Sequence, residues 1–152
     1  MQFTKLLLIS LFMLNLISCA YVSKAPEEQN AAAMEFQAPE GKGSVYLYRT
    51  GRAVGAAGQL LVKVNGNDAG GTGPGSFFKW DLSPGLYTFL SSTAESSATI
   101  QVDVNAGELY FIRQDARLGL SAGRVTMKQV DSTQGIKEVK NCKLLVSSFV
   151  PD

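Results

Sequence analysis

Short runs of β-branched and aromatic residues, separated by glycine, proline and asparagine, occupy most of the chain after Ser44. Within Thr99–Val104 apolar and polar side chains alternate strictly, which is the period of a half-buried strand. Comparable runs predict seven strands: Ser44–Thr50, Gln59–Val64, Phe77–Leu82, Leu86–Ser92, Thr99–Val104, Leu109–Gln114 and Arg124–Val130. Leu144–Val146 adds an edge strand or packs back on the body. This pattern predicts an all-β fold, a two-layer antiparallel β-sandwich, and disfavours a βαβ enzyme scaffold.

Tight turns are encoded between several of these runs. Asn65-Gly66 directly follows a predicted strand and is the strongest short hairpin signal, because both residues tolerate positive φ angles. Ser83-Pro84-Gly85 and Asn105-Ala106-Gly107 are predicted turns as well. The glycine clusters Gly51–Gly58 and Gly70–Gly75 lack the Gly-Lys-Ser/Thr ending of a phosphate-binding loop. We expect them to be long, flexible hairpin loops that are open to a partner.

One short helix is predicted near the C-terminus, with Ser132 or Thr133 as its N-cap. Its apolar positions, spaced three residues apart, are Ile136, Val139 and Cys142. Cys142 has no cysteine partner if the other cysteine, Cys19, is modified. We therefore expect Cys142 to be a small buried hydrophobe rather than a reactive thiol or half of an intermolecular disulfide.

The first 18 residues have the properties of a secretory leader. Lys5 precedes an apolar run that begins at Leu6 and is too short and interrupted for a membrane-spanning helix. The run ends in Leu16-Ile17-Ser18-Cys19, which resembles the lipobox of bacterial lipoproteins. That resemblance implies cleavage before Cys19 and a diacylglycerol thioether on its sulfur. The alternative is an ordinary signal peptide that is cut after Ala20.

The predicted domain organisation has three parts. Residues 1–18 are the lipoprotein signal peptide, residues 19–42 the lipidated N-terminus with a flexible tether, and residues 43–152 the β-sandwich domain. Proline, glycine and charged residues punctuate the tether, which has no regular apolar stripe. A flexible segment of this length would span roughly 25 Å root-mean-square. It would hold the folded body clear of the lipid headgroups.

The charge balance excludes one class of partner. The chain has 14 basic residues, one of them in the leader, and 13 acidic residues. Because there is no basic excess to neutralise phosphates, nucleic acid is not expected as a partner. No long run of like charge supports electrostatic docking on a membrane, so acyl chains on Cys19 are expected to provide the attachment.

The chain is not predicted to be an enzyme. Gly119-Leu120-Ser121-Ala122-Gly123 matches the G-x-S-x-G nucleophile pattern, but the chain contains no histidine and a strand follows where a helix is needed. We interpret it as a glycine-rich turn, although spacing alone leaves a Ser–Lys pair open. The missing histidine and the scattered aspartates argue against zinc and calcium. No catalytic residue, metal ligand or cofactor is therefore expected.

Two arginines, Arg49 and Arg113, lie at the ends of strands that we expect to be neighbours. We expect them to pair with Asp81 or Asp115 on the surface, or to meet an anionic ligand.

Aromatic residues occur on both faces of the predicted strands: Tyr46 and Tyr48, Phe77, Phe78 and Trp80, Tyr87 and Phe89, Tyr110 and Phe111. In a sandwich we expect one ring of each group to fill the core and the other to lie outside or under a loop. An exposed aromatic strip would instead stack on a glycan.

Two sets of motifs resemble known families. Val62–Gly66, Gly70 or Gly71, and Leu82–Tyr87 resemble surface β-modules named after a Pro-Glu-Gly-Ala (PEGA) motif, although Tyr87 stands where histidine is commoner. A wider set is similar to a family of short bacterial lipoproteins known only as a domain of unknown function. That set covers roughly residues 43–145 and comprises Val45–Arg49, the Asn-Gly hairpin, the Pro-Gly turn, Ala106–Arg113 and the terminal helix.

The resemblance implies a location more than an activity. Ala20, where an aspartate would favour the inner membrane, implies an outer-membrane protein of a Gram-negative bacterium, lipid-anchored through Cys19 and facing the periplasm. We expect a binding or assembly module of the cell envelope, with an envelope protein or peptidoglycan as its partner. The alternative is a glycan- or peptide-binding domain that uses an exposed aromatic face.

Overall fold

The computed structural model describes residues 22–51 and 58–152. These residues form α1 (Glu27–Ala33), β1 (Gly43–Arg49), β2 (Leu60–Val64), β3 (Asn67–Thr72), β4 (Ser76–Leu82), β5 (Gly85–Ser92), β6 (Ser97–Val104), β7 (Leu109–Arg117), β8 (Arg124–Val130), α2 (Ser132–Val139) and β9 (Lys143–Leu144). Neither helix in this described part is long and apolar enough to span a bilayer.

The strands form two sheets packed as a sandwich, which confirms the predicted all-β fold. One sheet has the order β8-β7-β1-β4-β9 and the other the order β3-β2-β5-β6. Most neighbours are antiparallel as predicted, but β1 runs parallel to β7 and β4 runs parallel to β9. The chain after β9 is bonded to β3, and β6 packs near β8. We call these two sides of the sandwich the β3/β9 edge and the β6/β8 edge.

The five-stranded sheet is covered on both of its faces. Every residue of β1 is buried. Val45 and Leu47 belong to the main core between the two sheets, together with Phe78. Tyr46 and Tyr48 belong to a second core on the opposite face, which α1 and α2 cover. Burial on both sides explains why β1 is apolar or aromatic at almost every inner position.

The prediction for the aromatic residues is corrected by this second core. The rings expected to lie outside or under a loop, such as those of Tyr46 and Phe77, are instead fully buried beneath the two helices. Among the described residues, the exposed large apolar side chains are Leu61, Leu86, Leu118, Leu120, Val146 and Val150. None of these side chains is aromatic.

The glycine cluster Gly70–Gly75 is not one long loop, because its first three residues lie in β3. A Cβ at Gly70 would lie 3.0 Å from Val22 Cγ2, and one at Gly71 would lie 2.9 Å from Gln59 Oε1. The side chains of Val22 and Gln59 pack directly over the strand backbone and leave no room for side chains at positions 70 and 71. Glycine therefore stands where other strands show alternating apolar and polar residues. The cluster Gly51–Gly58 lies largely outside the described residues.

The C-terminal helix lies where it is predicted, but its cap differs. Asp131 is the N-cap, and its Oδ1 accepts a hydrogen bond from Gln134 N at 3.0 Å. Neither Ser132 nor Thr133 has that role, because both are already helical. The edge strand predicted at Leu144–Val146 is shorter and begins earlier: β9 spans Lys143–Leu144 and pairs with the start of β4.

Residues 22–36 are packed on the body, so the flexible tether predicted there is wrong for this stretch. Asn30 is buried, and its Oδ1 accepts a hydrogen bond from Leu144 N at 2.9 Å. The hydroxyl of Tyr46 donates to the carbonyl of Ala33, also at 2.9 Å. These polar contacts, together with the buried Ala33 in the second core, dock α1 on the body although the helix has no regular apolar stripe.

Candidate functional site

Cys19, the predicted lipidation site, lies outside the described residues. Within the two described ranges no group of three or more acidic or cysteine side chains is placed to hold a metal ion. Ser121 lies in the exposed loop between β7 and β8, and a strand follows it. The interpretation of the G-x-S-x-G sequence as a glycine-rich turn is therefore confirmed.

This β7–β8 loop, residues 118–123, is fastened to the β5–β6 turn by the carboxylate of Glu95. The carboxylate accepts hydrogen bonds from three backbone N–H groups of the loop, those of Leu120, Ser121 and Ala122, at 3.0, 3.1 and 3.0 Å. Arg124 Nε donates a fourth hydrogen bond at 2.9 Å. Gly119 approaches so closely that a Cβ there would overlap the carboxylate. Consecutive N–H groups that converge on one anion form a nest.

The nest sets the ionisation state of Glu95. The three backbone hydrogen bonds, helped by Arg124, lower the pKa of Glu95 to about 2. Glu95 is therefore charged at neutral and mildly acidic pH. The protein's own carboxylate occupies the nest, so we describe the arrangement as the Glu95 clamp.

Two leucines of the clamped loop are almost fully exposed. Leu118 is 81% and Leu120 is 94% accessible to solvent. Single exposed leucines are common on protein surfaces, but here two of them share a loop whose backbone is fixed by a carboxylate. A preordered apolar loop is suited to contact with another molecule, because little loop entropy is lost on binding.

A second charged cluster lies around Arg113 and is satisfied internally. Arg113 pairs with Asp115 at 2.8 Å, as one of the predicted pairings has it, and with Glu138 of α2 at 3.0 Å. The buried hydroxyl of Tyr48 donates to Glu138 as well. Burial by itself would raise the pKa of Glu138, but the Tyr48 hydrogen bond and the charge of Arg113 lower it. The cluster joins α2 to the sheet, and its charged groups are paired with one another.

The other predicted salt-bridge residues have different partners. Asp81 pairs with Lys79 at 2.7 Å rather than with an arginine. Arg49 is 3% exposed, and its Nη1 donates to the carbonyl of Gly58 at 3.0 Å. Burial lowers the pKa of Arg49.

Cys142 is a free and buried cysteine, which confirms the prediction of a small apolar residue. Its sulfur lies 3.5 Å from the carbonyl of Glu138 and 3.6 Å from that of Arg49. Burial, together with the charge of Glu138, raises the pKa of the thiol to about 11. The reactive thiolate is therefore scarce at neutral pH.

A groove of about 850 Å³ lies where two of the predicted turns, Asn65-Gly66 and Ser83-Pro84-Gly85, meet the C-terminal residues 148–152. Asn65 fastens the first turn to Thr88 of β5 through two hydrogen bonds of 2.8 Å, one from Asn65 N to Thr88 O and one from Thr88 N to Asn65 Oδ1. The hydroxyl of Tyr87 donates to the carbonyl of Ser83. We call this site the end groove; its lining is largely polar, with Leu86 as an exposed apolar member.

Residues 39–127 match a protein family described as protein of unknown function, DUF2846. The match covers more than half of the chain and runs from the approach to β1 into β8. The chain belongs to the DUF2846 family. The Glu95 clamp lies wholly within the DUF2846 match, whereas α1, α2 and β9 lie outside it.

A protein of Haemophilus influenzae described as uncharacterized is similar to this DUF2846 chain. The two are 27% identical over 133 residues, which cover 87% of this chain and 79% of the relative. The predicted similarity to a family of unknown function is thereby confirmed, while the lipid anchor remains a prediction.

Proposed function

We propose that this DUF2846 protein is a lipid-anchored binding or assembly module of the bacterial cell envelope. The sequence Leu16–Cys19 supports an anchor on Cys19 that carries fatty acids such as palmitate. Ala20 supports residence in the outer membrane, with the folded body in the periplasm. The partner of the module is an envelope protein, contacted through the β7–β8 loop.

The exposure of Leu118 and Leu120 on a clamped loop is the observation that carries the binding role. Glu95 fixes the backbone of the loop while the two side chains remain in water. A protein with an apolar recess would bury both leucines without first having to order the loop. An aromatic or aliphatic pocket of this kind is typical of the centre of a protein interface.

The two nucleophilic residues that the sequence singles out do not support catalysis. The Ser121 N–H belongs to the Glu95 clamp, and no histidine exists in the chain to activate the hydroxyl. Cys142 is buried with a raised pKa. A role in binding rather than in a reaction is the better proposal for this fold.

The resemblance to the PEGA modules is supported by the two turns. Asn65 and Gly66 have φ angles of +49° and +82°, as a two-residue hairpin turn requires. Gly85 begins β5 with a φ of +152°. The runner-up function, a glycan- or peptide-binding domain, is favoured by the end groove, although the aromatic side chains that line it, Tyr87 and Phe149, are only partly exposed.

The anchor is tested by Cys19→Ser in the native host. We expect this variant to accumulate as uncleaved precursor or to be released as soluble protein, whereas wild type fractionates with the outer membrane. Mass spectrometry of wild type should show a diacylglyceryl-modified mature N-terminus. A variant that matures and fractionates like wild type would contradict the lipoprotein proposal.

The binding role is tested by photo-crosslinking in intact cells. A benzoylphenylalanine at position 120 should give a discrete protein adduct, and Glu95→Gln should weaken that adduct because the loop is no longer clamped. The matched control carries the same probe at position 86, an exposed leucine in the end groove. Equal adducts at both positions, or none at 120, would contradict the loop as the binding site. An adduct at 86 alone would favour the runner-up function.

A further inference from the structure

We propose that the β3/β9 edge of the sandwich lies on the phospholipid surface that carries the anchor. The β6/β8 edge, with its clamped leucine loop, then points away from that surface. This inference rests on the lipid anchor proposed above and adds the orientation of the folded body.

The first residues that the structure describes are fixed to this edge. Val22 packs over the backbone of Gly70 in β3 and belongs to the periphery of the main core. The carbonyl of Ser23 accepts a hydrogen bond from Val146 N at 2.9 Å, and Ala25 N donates to Leu144 at the same distance. Residues 22–25 are therefore part of the β3/β9 edge.

The distance from Val22 to the modified cysteine is short. Cys19 precedes Val22 by three residues, and three residues span at most about 11 Å even when fully extended. The polar layer on each side of a bilayer is roughly 5 to 8 Å thick. A diacylglycerol on Cys19 places its glycerol in that layer, so the β3/β9 edge lies at the headgroups. Residues 22–36 of the predicted tether of roughly 25 Å are docked on the body and add nothing to this distance.

The side chains on this edge fit the interface of a bilayer. A groove of about 430 Å³ runs along it, and its apolar lining includes Val22, Leu61 and Val146. Leu61 is 54% and Val146 is 48% exposed, so both offer apolar surface outside the core. A neighbouring groove shares Val22 and is lined by Lys24 and Lys143.

The charged residues of the same edge are complementary to phosphate groups. The charged side chains that line the two grooves are those of Lys24, Lys63, Lys143 and Asp68. Lys63 pairs with Asp68 at 3.2 Å and Lys143 with Glu27 at 3.6 Å, but both pairs are solvent-exposed and therefore weak. Lysines around exposed apolar side chains are typical of a surface that lies in the headgroup layer.

The orientation is tested on full-length acylated protein in vesicles of phosphatidylethanolamine and phosphatidylglycerol. An environment-sensitive nitrobenzoxadiazole label is attached at Leu61→Cys, or at Leu118→Cys on the opposite edge as the matched control. The buried Cys142 stays in place in both variants. We expect a blue shift at position 61 and loss of most of its fluorescence to nitroxide-labelled lipid, with neither effect at 118.

A measurement on the unlabelled wild type accompanies the labels. Amide exchange in β2 and β3 should slow on vesicles relative to detergent micelles, whereas exchange in β8 should not change. Equal quenching at both positions, or none at 61, overturns the orientation if the protein floats with the vesicles. If the mature protein carries no lipid and does not float, the anchor fails and the orientation fails with it.

Discussion

Gly135 of α2 lies directly against the ring of Phe111 in β7, with no space for a side chain between them. This close approach lets α2 cover the outer face of the five-stranded sheet. There Phe111 stacks on Tyr46, with ring centroids 5.0 Å apart. The second core therefore depends on a glycine inside a helix, a position that propensity alone disfavours.

We expect Gly135→Ala to destabilise the protein. In an exposed helix, alanine in place of glycine is stabilising by about 1 kcal/mol. Here the new methyl group overlaps Phe111, and overpacking of this kind costs about 1–3 kcal/mol. Urea unfolding measures the change, with the exposed Thr133→Ala as the control in the same helix. A variant as stable as wild type would show that α2 moves away from Phe111 without loss of stability.

Asn30→Ala tests whether α1 belongs to the folded body. The substitution removes the acceptor for Leu144 N and leaves a partly buried N–H without that partner, so we expect the free energy of unfolding to fall by about 1 kcal/mol. Gln29→Ala changes the exposed neighbour in the same helix and should leave stability near wild type. Equal midpoints of urea unfolding for both variants would indicate that this stretch is a flexible tether, as the sequence predicts.

The strands with one solvated face could be predicted from the sequence because burial forces alternation on them. β8 begins and ends at the predicted residues, Arg124 and Val130. β3 could not be predicted, since Asn67 and Asp68 are turn formers and its two glycines carry no side-chain pattern. Its glycines are explained only by what packs over them, which pattern reading does not reveal.

The Glu95 clamp escaped prediction for a different reason. Glu95 is separated from Leu120 by 25 residues, and no local spacing connects a turn carboxylate to backbone N–H groups of another loop. The turn character of residues 119–123 was predictable from glycine. The carboxylate that orders this turn could not be predicted, because Glu95 reaches the loop only through the packing of β6 near β8 in the folded protein.

Cys142 should resist thiol reagents in the folded protein. Its pKa is raised to about 11, and its side chain points from the α2–β9 connection into the second core. We expect slow reaction with Ellman's reagent at neutral pH and rapid reaction in urea. A Cys19→Ser background removes the other cysteine. Rapid labelling of the native protein would mean that the end of α2 opens readily.

The Glu95 clamp makes a pH-dependent contribution to stability whose sign follows from the pKa. In the folded protein the pKa lies at about 2, below the ordinary value of 4.5. The stabilisation is therefore complete above pH 4.5 and is lost as the pH falls toward 2. Glu95→Gln lacks this contribution, so the stability difference between wild type and the variant should shrink across that range.

Two measurements check the clamp, and both use Glu40→Gln, an exposed carboxylate in another turn, as control. Urea unfolding is measured between pH 2 and pH 6. The free energies of unfolding of wild type and Glu95→Gln should converge as the pH falls, whereas the difference between wild type and the control should stay constant. At neutral pH the amides of residues 120–122 should exchange faster in Glu95→Gln, because their acceptor has lost its charge. Unchanged exchange there would show that the loop is ordered by its own turn, and Leu118 and Leu120 would then be presented without help from Glu95.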